Sequence, residues 1–255
     1  MPIRILVLGG SSEASALARL LAARPDVEAT LSLAGRTARP AREPIAMRSG
    51  GFGGVEGLID YLRIHDVDAV IDATHPFAAR MSRNAEEACE RLGLPLVALT
   101  RAAWEPVAGD HWIEVADAEG AVSALGAAPR RVFLTVGRLS LPAFTAAPLH
   151  HYLIRTIDPP KEVEAFPHRE LVLARPPFTL DGEERLMREK RIELVVSKNS
   201  GGEATYAKIA AARRLHLPVV MIRRPKPAGT RVVEDPAQAL DWLEHQRRAP
   251  SRRGV

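Results

Sequence analysis

Cysteine is almost missing from this 255-residue chain, in which Cys89 stands alone. No disulfide can close within the chain, and that usage fits a reducing compartment such as the cytoplasm. Long apolar runs are missing too. None approaches the ~18–20 residues that a membrane span needs. The first apolar run, Ile3–Leu8, is too short for a secretory leader and runs into glycines rather than a cleavage site. Neither export nor a membrane partner is expected. The eight histidines lack cysteine or acidic partners at metal-ligand spacing, and the adjacent His150 and His151 diverge in most backbones. No metal is expected.

Charge of one sign is only modestly in excess. The chain carries 35 Lys+Arg against 31 Asp+Glu, a net +4, and the pI near 9.6 invites a nucleic-acid reading. Position decides against it. Residues 1–128 hold 12 basic and 17 acidic side chains, and residues 129–245 hold 19 and 14. Arg247, Arg248, Arg252 and Arg253 supply the remainder. The whole excess therefore lies in residues 246–255, which have no apolar periodicity and read as a disordered basic tail. The body is neutral and polarised, −5 in its first half and +5 in its second.

What is present is alternation. Short β-branched runs (3–8, 28–34, 67–73, 96–99) alternate with helical patterns (13–23, 55–65, 78–92), which is βαβ repetition and implies a parallel sheet covered on both faces. The pattern pauses over 104–112, with a short helix at 116–125, and Ala127, Ala128 and Pro129 mark a boundary. It restarts with strands at 131–136, 152–156, 171–174, 192–196 and 218–222 and helices at 182–190, 203–215 and 236–246. The expected fold is α/β: two Rossmann-like, doubly wound parallel-sheet domains, 1–128 and 129–245, with a cleft between them.

Five stretches carry chemistry. Gly9, Gly10, Ser11, Ser12 and Glu13 follow the first strand and open a helix, where close backbone approach and free amides suit the pyrophosphate of a dinucleotide. The second strand ends in Ser-Leu-Ala-Gly-Arg at 32–36, with no acid for ribose hydroxyls and with Arg36 placed to accept a 2′-phosphate, which favours NADP over NAD. Four glycines surround Phe52, and Gly51 and Gly53 are expected to approach the cofactor. Asp72, Ala73, Thr74 and His75 sit at a strand's C-terminal end, where Thr74 and His75 would lie by the nicotinamide and His75 could donate a proton. Ser197, Lys198, Asn199, Ser200, Gly201 and Gly202 are expected to form an anion site before a helix, with Arg138 and Arg155 at other strand ends of the same basic half.

Together these stretches resemble the precorrin-6A reductase family of cobalamin biosynthesis: GGSSEA at 9–14, GGFGGVEGLIDYL at 50–62, DATHPFA at 72–78, TVGR at 135–138 and SKNSGG at 197–202. The resemblance spans about residues 3–245. Phe77 stands where the family often has Tyr, which weakens any proton-transfer role there. The resemblance implies NADPH as hydride donor and a cyclic tetrapyrrole, precorrin-6A, as substrate and sole partner, reduced at one double bond to precorrin-6B; a monomer suffices. The substrate's carboxylates would lie against Arg138, Arg155, Arg175 and the 197–202 loop, with His75 also at the substrate. Two other readings fit the same motifs: an NADP(H)-sensing Rossmann-type protein, and an NADPH reductase of a smaller substrate.

Overall fold

The computed structural model describes residues 2–35, 42–225 and 230–248. The first stretch of chain contributes β1 (Ile3–Leu8), α1 (Ser12–Ala22), β2 (Val27–Leu33), β3 (Ala46–Ser49), α2 (Val55–Ile64), β4 (Ala69–Asp72), α3 (Ala79–Leu92) and β5 (Leu96–Leu99). The middle contributes β6 (Trp112–Val115), α4 (Ala118–Ala124), β7 (Arg131–Thr135), α5 (Leu141–Phe144), β8 (His151–Thr156), β9 (Arg169–Leu173), α6 (Leu180–Glu189), β10 (Leu194–Lys198), α7 (Ala207–Arg214) and β11 (Val219–Ile222). The end contributes β12 (Arg231–Val233) and α8 (Pro236–Arg248).

The strands form two six-stranded sheets, ordered β12-β5-β4-β1-β2-β3 and β6-β11-β10-β7-β8-β9, and every pairing is parallel. The alternation of β1 shows why. Ile5 and Val7 pack into one apolar layer with Leu17 and Leu21 of α1 and with Trp242 and Leu243 of α8. Leu6 and Leu8 pack into the opposite layer with Leu58, Ile59 and Leu62 of α2 and with Ala85, Ala88 and Cys89 of α3. A strand buried on both faces must be apolar at every position, and Ile-Arg-Ile-Leu-Val-Leu complies from its third residue on. Each helix shows the sheet one stripe at three- and four-residue spacing, as with Ala14, Leu17, Ala18 and Leu21.

The two sheets match position for position except in origin. β6 follows β5 in the chain but pairs with β11, Trp112 opposite Val219. β12 follows β11 but pairs with β5, Arg231 opposite Val97. Each sheet thus receives its sixth strand from the chain segment that follows the other. The chain divides into Met1–Ala102 with Pro225–Val255, and Ala103–Arg224. The boundary expected after residue 128 therefore falls inside the second unit, in the connection from α4 to β7, and residues 225–245 belong to the first. A proline-containing connection looks the same whether it joins two elements of one sheet or two sheets.

Two further expectations change. Counted by unit, the first holds 18 basic and 16 acidic residues and the second 17 and 15, so the −5/+5 polarity was a product of the misplaced boundary. The basic tail was expected from residue 246, but α8 runs through Arg248 and Arg247 pairs with Asp26. Residues 249–255 lie outside the described residues. Among those described, no helix is long and apolar enough to cross a membrane.

Candidate active site

In open α/β sheets, ligands bind beyond the strands' C-terminal ends where the strand order reverses. In the first sheet that point lies between β1 and β4, with Leu8 opposite Asp72. The 9–12 turn and the 73–75 turn leave these two ends side by side. The Gly9 amide donates to Ser32 O at 2.8 Å, and a Cβ on Gly9 would come within 2.6 Å of the Leu31 side chain. Gly10 has φ +136°, and a Cβ there would meet only the His75 amide nitrogen, at 3.9 Å.

Ser11 caps α1 by accepting from the Ala14 amide at 3.1 Å and donates to Ala73 O at 2.8 Å. Its hydroxyl is both a helix cap and a latch between the two turns. Arg101, which sequence reasoning missed, reaches Ser12 Oγ at 3.0 Å and Glu13 Oε2 at 2.8 Å. Glu13 is thus neutralised at the helix start. Among the described residues the amides of Gly10, Ser11 and Ser12 donate to no protein acceptor, which leaves the α1 N-terminus with unused donors and a positive dipole end.

The 72–78 turn orders itself. Asp72, buried, accepts from the Thr74 amide at 3.0 Å. Thr74 Oγ1 is 3.5 Å from Ser82 Oγ. His75 Nδ1 accepts from the Phe77 amide at 3.2 Å, so the neutral ring carries its proton on Nε2.

At the end of β2, Arg36 lies outside the described residues. Another cation stands nearby. Arg48 of β3 is in register with Ser32 and donates to its Oγ at 2.6 Å. It also donates to Gly50 O at 3.2 Å and Gly51 O at 3.4 Å, with its guanidinium 4.0 Å from the Phe52 ring centroid. Gly57 sits under this loop, where a Cβ would come within 1.8 Å of Phe52 O. Gly53, at φ +82°, faces open space. Arg48 was legible only once β3, a strand without an apolar run, was known to pair with β2.

In the second sheet the reversal lies between β7 and β10, with Thr135 opposite Ser197. This brings TVGR and SKNSGG together as their strand-end positions implied. Arg138, exposed, follows Gly137, whose φ is +72°. Lys198, Ser200, Gly201 and Gly202 stay at the strand end, with Gly201 and Gly202 at φ +68° and +73°.

Three expected substrate ligands are otherwise engaged. Ser197 is wholly buried and donates to Lys198 O at 3.2 Å. Asn199 accepts from the Trp104 amide through Oδ1 and donates to Trp104 O through Nδ2, each at 2.8 Å. It positions the 103–104 backbone, and Trp104 Nε1 then donates to Gly202 O at 2.9 Å. Arg155 is buried in an ion pair with Glu183, its guanidinium 3.7 Å from the Phe178 ring centroid. It offers no uncompensated charge to a carboxylate. Burial holds the Cys89 thiol up to about 12, which makes it a packing residue, not a nucleophile.

Comparison with known proteins places this arrangement. The model of the precorrin-6x reductase CbiJ/CobK family matches residues 4–244. The chain belongs to that family. It is 48% identical over 252 residues to the precorrin-6A reductase of Rhodobacter capsulatus, covering 99% of each chain. It is 51% identical over 242 residues to that of Rhodococcus erythropolis, covering 94% of this chain and 97% of that one. The cobalt-precorrin-6A reductase of Salmonella typhimurium is more distant, 30% identical over 241 residues and 89% of each chain. A solved structure titled CobK precorrin-6A reductase superposes with a TM-score of 0.91 at 48% identity, covering 99% of this chain and all of that one.

Proposed function

We propose that the protein is the precorrin-6A reductase of cobalamin biosynthesis, an oxidoreductase that reduces one double bond of precorrin-6A to give precorrin-6B with NADPH. The observation that carries this reading is full-length identity of 48–51% to reductases named for cobalt-free precorrin-6A, against 30% to one named for the cobalt form.

The first unit's residues fit a dinucleotide. The unused amides of Gly10, Ser11 and Ser12 suit a pyrophosphate at the α1 N-terminus. Gly10 leaves the space that a Cβ would fill, and no acid stands at 32–35. When bound, NADPH supplies the hydride. Asp72 holds the turn that presents Thr74 and His75 at the neighbouring strand end, Gly9 would let the backbone approach the pyrophosphate, and Gly51 and Gly53 would border the cofactor from the 50–54 loop. His75 would be the proton donor to the atom next to the carbon that accepts hydride, with solvent as the other source. In the second unit, exposed Arg138 and the glycine amides at 201–202 would meet the substrate's carboxylates, with Lys198 and Ser200 beside them at the strand end. The protein's work is chiefly to position the rings and exclude water.

Anaerobic incubation with NADPH and precorrin-6A, followed by mass spectrometry, tests this. A gain of two hydrogens is expected. Bound NADPH without that gain points instead to a cofactor sensor.

A further inference from the structure

We infer that Arg48 recognises the 2′-phosphate of NADPH and sets the preference of this protein for NADPH over NADH. The inference rests on the NADPH reading above and deepens it.

Place is the first support. The end of β2 is where the adenosine ribose lies in this fold. Residues 32–35 are Ser, Leu, Ala and Gly, so no carboxylate is available there for a free ribose 2′-hydroxyl. Arg48, in register with Ser32, is the next side chain across the ladder.

Geometry is the second support. A guanidinium has five N–H donors. Arg48 uses two on Nη1, to Ser32 Oγ and Gly50 O, and one on Nη2, to Gly51 O. Among the described residues, Nε–H and one Nη2–H remain. The plane is fixed by Phe52 at 4.0 Å and Tyr61 at 5.0 Å, which pack edge to face against each other. A planar cation with two donors left and its rotation already restricted is suited to bidentate phosphate binding.

Charge is the third. All three acceptors are neutral, and among the described residues Arg48 has no carboxylate partner. Arg101, the other arginine near a strand end of this unit discussed above, is paired with Glu13. The loop beside Arg48 also leaves room, since a Cβ on Gly50, Gly53 or Gly54 would meet nothing within 4 Å.

The experiment is calorimetric titration of the full chain, as wild type, Arg48→Gln and Arg48→Lys, with NADP⁺ and with NAD⁺. Wild type is expected to prefer NADP⁺. Arg48→Gln is expected to lower the NADP⁺/NAD⁺ affinity ratio by roughly 10- to 100-fold, as a charge-assisted bidentate contact would, with NAD⁺ affinity within about twofold of wild type. Arg48→Lys keeps the charge but not the fork and is expected to fall between. Equal weakening of both cofactors by Arg48→Gln would mean that Arg48 only holds the glycine loop, and an unchanged ratio would also overturn the inference. If Arg48→Gln does not fold, a wild-type ratio in Arg48→Lys overturns it and an intermediate ratio supports it. A wild-type protein without preference for NADP⁺ would instead remove the NADPH reading itself.

Discussion

Ser11 Oγ reaches the Ala73 carbonyl oxygen at 2.8 Å while accepting from the Ala14 amide at 3.1 Å, so one hydroxyl ties the glycine turn after β1 to the turn after β4. Replacing it with alanine removes a helix cap and a part-buried hydrogen bond together. Ser11→Ala should cost about 1–2 kcal/mol and lower Tm by a few degrees. It should also raise KM for the nicotinamide cofactor, because both turns that flank its proposed site lose their register. Ser11→Thr keeps the hydroxyl and should restore both values. Thermal melts and steady-state kinetics on the two variants check this, and an Ala variant with wild-type KM would separate the latch from the cofactor site.

Gly57 is the tightest glycine among the described residues of the first unit. It lies in the first turn of α2, where a Cβ would overlap Phe52 O at 1.8 Å. Gly57→Ala must therefore displace the 50–54 loop or the helix start, a cost of about 1–3 kcal/mol. The same shift would carry Phe52 away from Arg48, so cofactor affinity should fall with stability. Gly53→Ala is the contrast: its Cβ would meet open space, and only the positive φ of +82° opposes it, for about 1–2 kcal/mol. Comparing the melts of the two variants with their cofactor titrations distinguishes overlap from backbone strain.

Arg155 and Glu183 form an ion pair whose side chains are 6% and 4% exposed. Removing one member of a buried pair strands the other, at about 3–5 kcal/mol, whereas replacing both with apolar residues can be neutral. Glu183→Ala should therefore destabilise strongly, and Arg155→Met with Glu183→Leu should recover most of that loss. Urea unfolding of the single and double variants measures the coupling. A stable double variant that reduces substrate with unchanged KM would complete the case that Arg155 is structural. A specific rise in KM would return it to the substrate site.

The central strands were legible because burial on both faces leaves a continuous apolar run: Ile3–Leu8 and Leu96–Leu99 are as expected to the residue. The unpredicted strands β3, β6 and β12 are all edges of their sheets. Each is three or four residues long and half exposed, so it carries neither run nor alternation. Which sheet an edge strand joins is a non-local choice with no local signature, and that is why the domain boundary and the charge split drawn from it were misplaced. At the candidate site, the strand-end motifs were legible from residue type and spacing. The partners that occupy those residues were not. Asn199 was legible as a polar loop residue, but its bond to Trp104, 95 positions away, exists only in the fold.

The exchange of sixth strands makes the far end of the chain part of the first unit, and that can be tested directly. Trp242 of α8 is 4% exposed and packs with Ile5, Val7 and Leu17. Trp242→Ala should cost roughly 3–5 kcal/mol, and a fragment of residues 1–128 should fail to fold, lacking β12 and α8. Ending the chain at Arg248 should leave Tm and reductase activity nearly unchanged. Arg24 hydrogen-bonds both Asp26 and Glu244 and holds each carboxyl below its ordinary range. Their contribution is therefore complete above the unfolded values of about 4 and is lost as pH falls through the lowered folded values. Arg24→Gln should flatten that acid limb of the stability curve, measured as Tm against pH in wild type and variant, and parallel curves would exclude the cluster as its source.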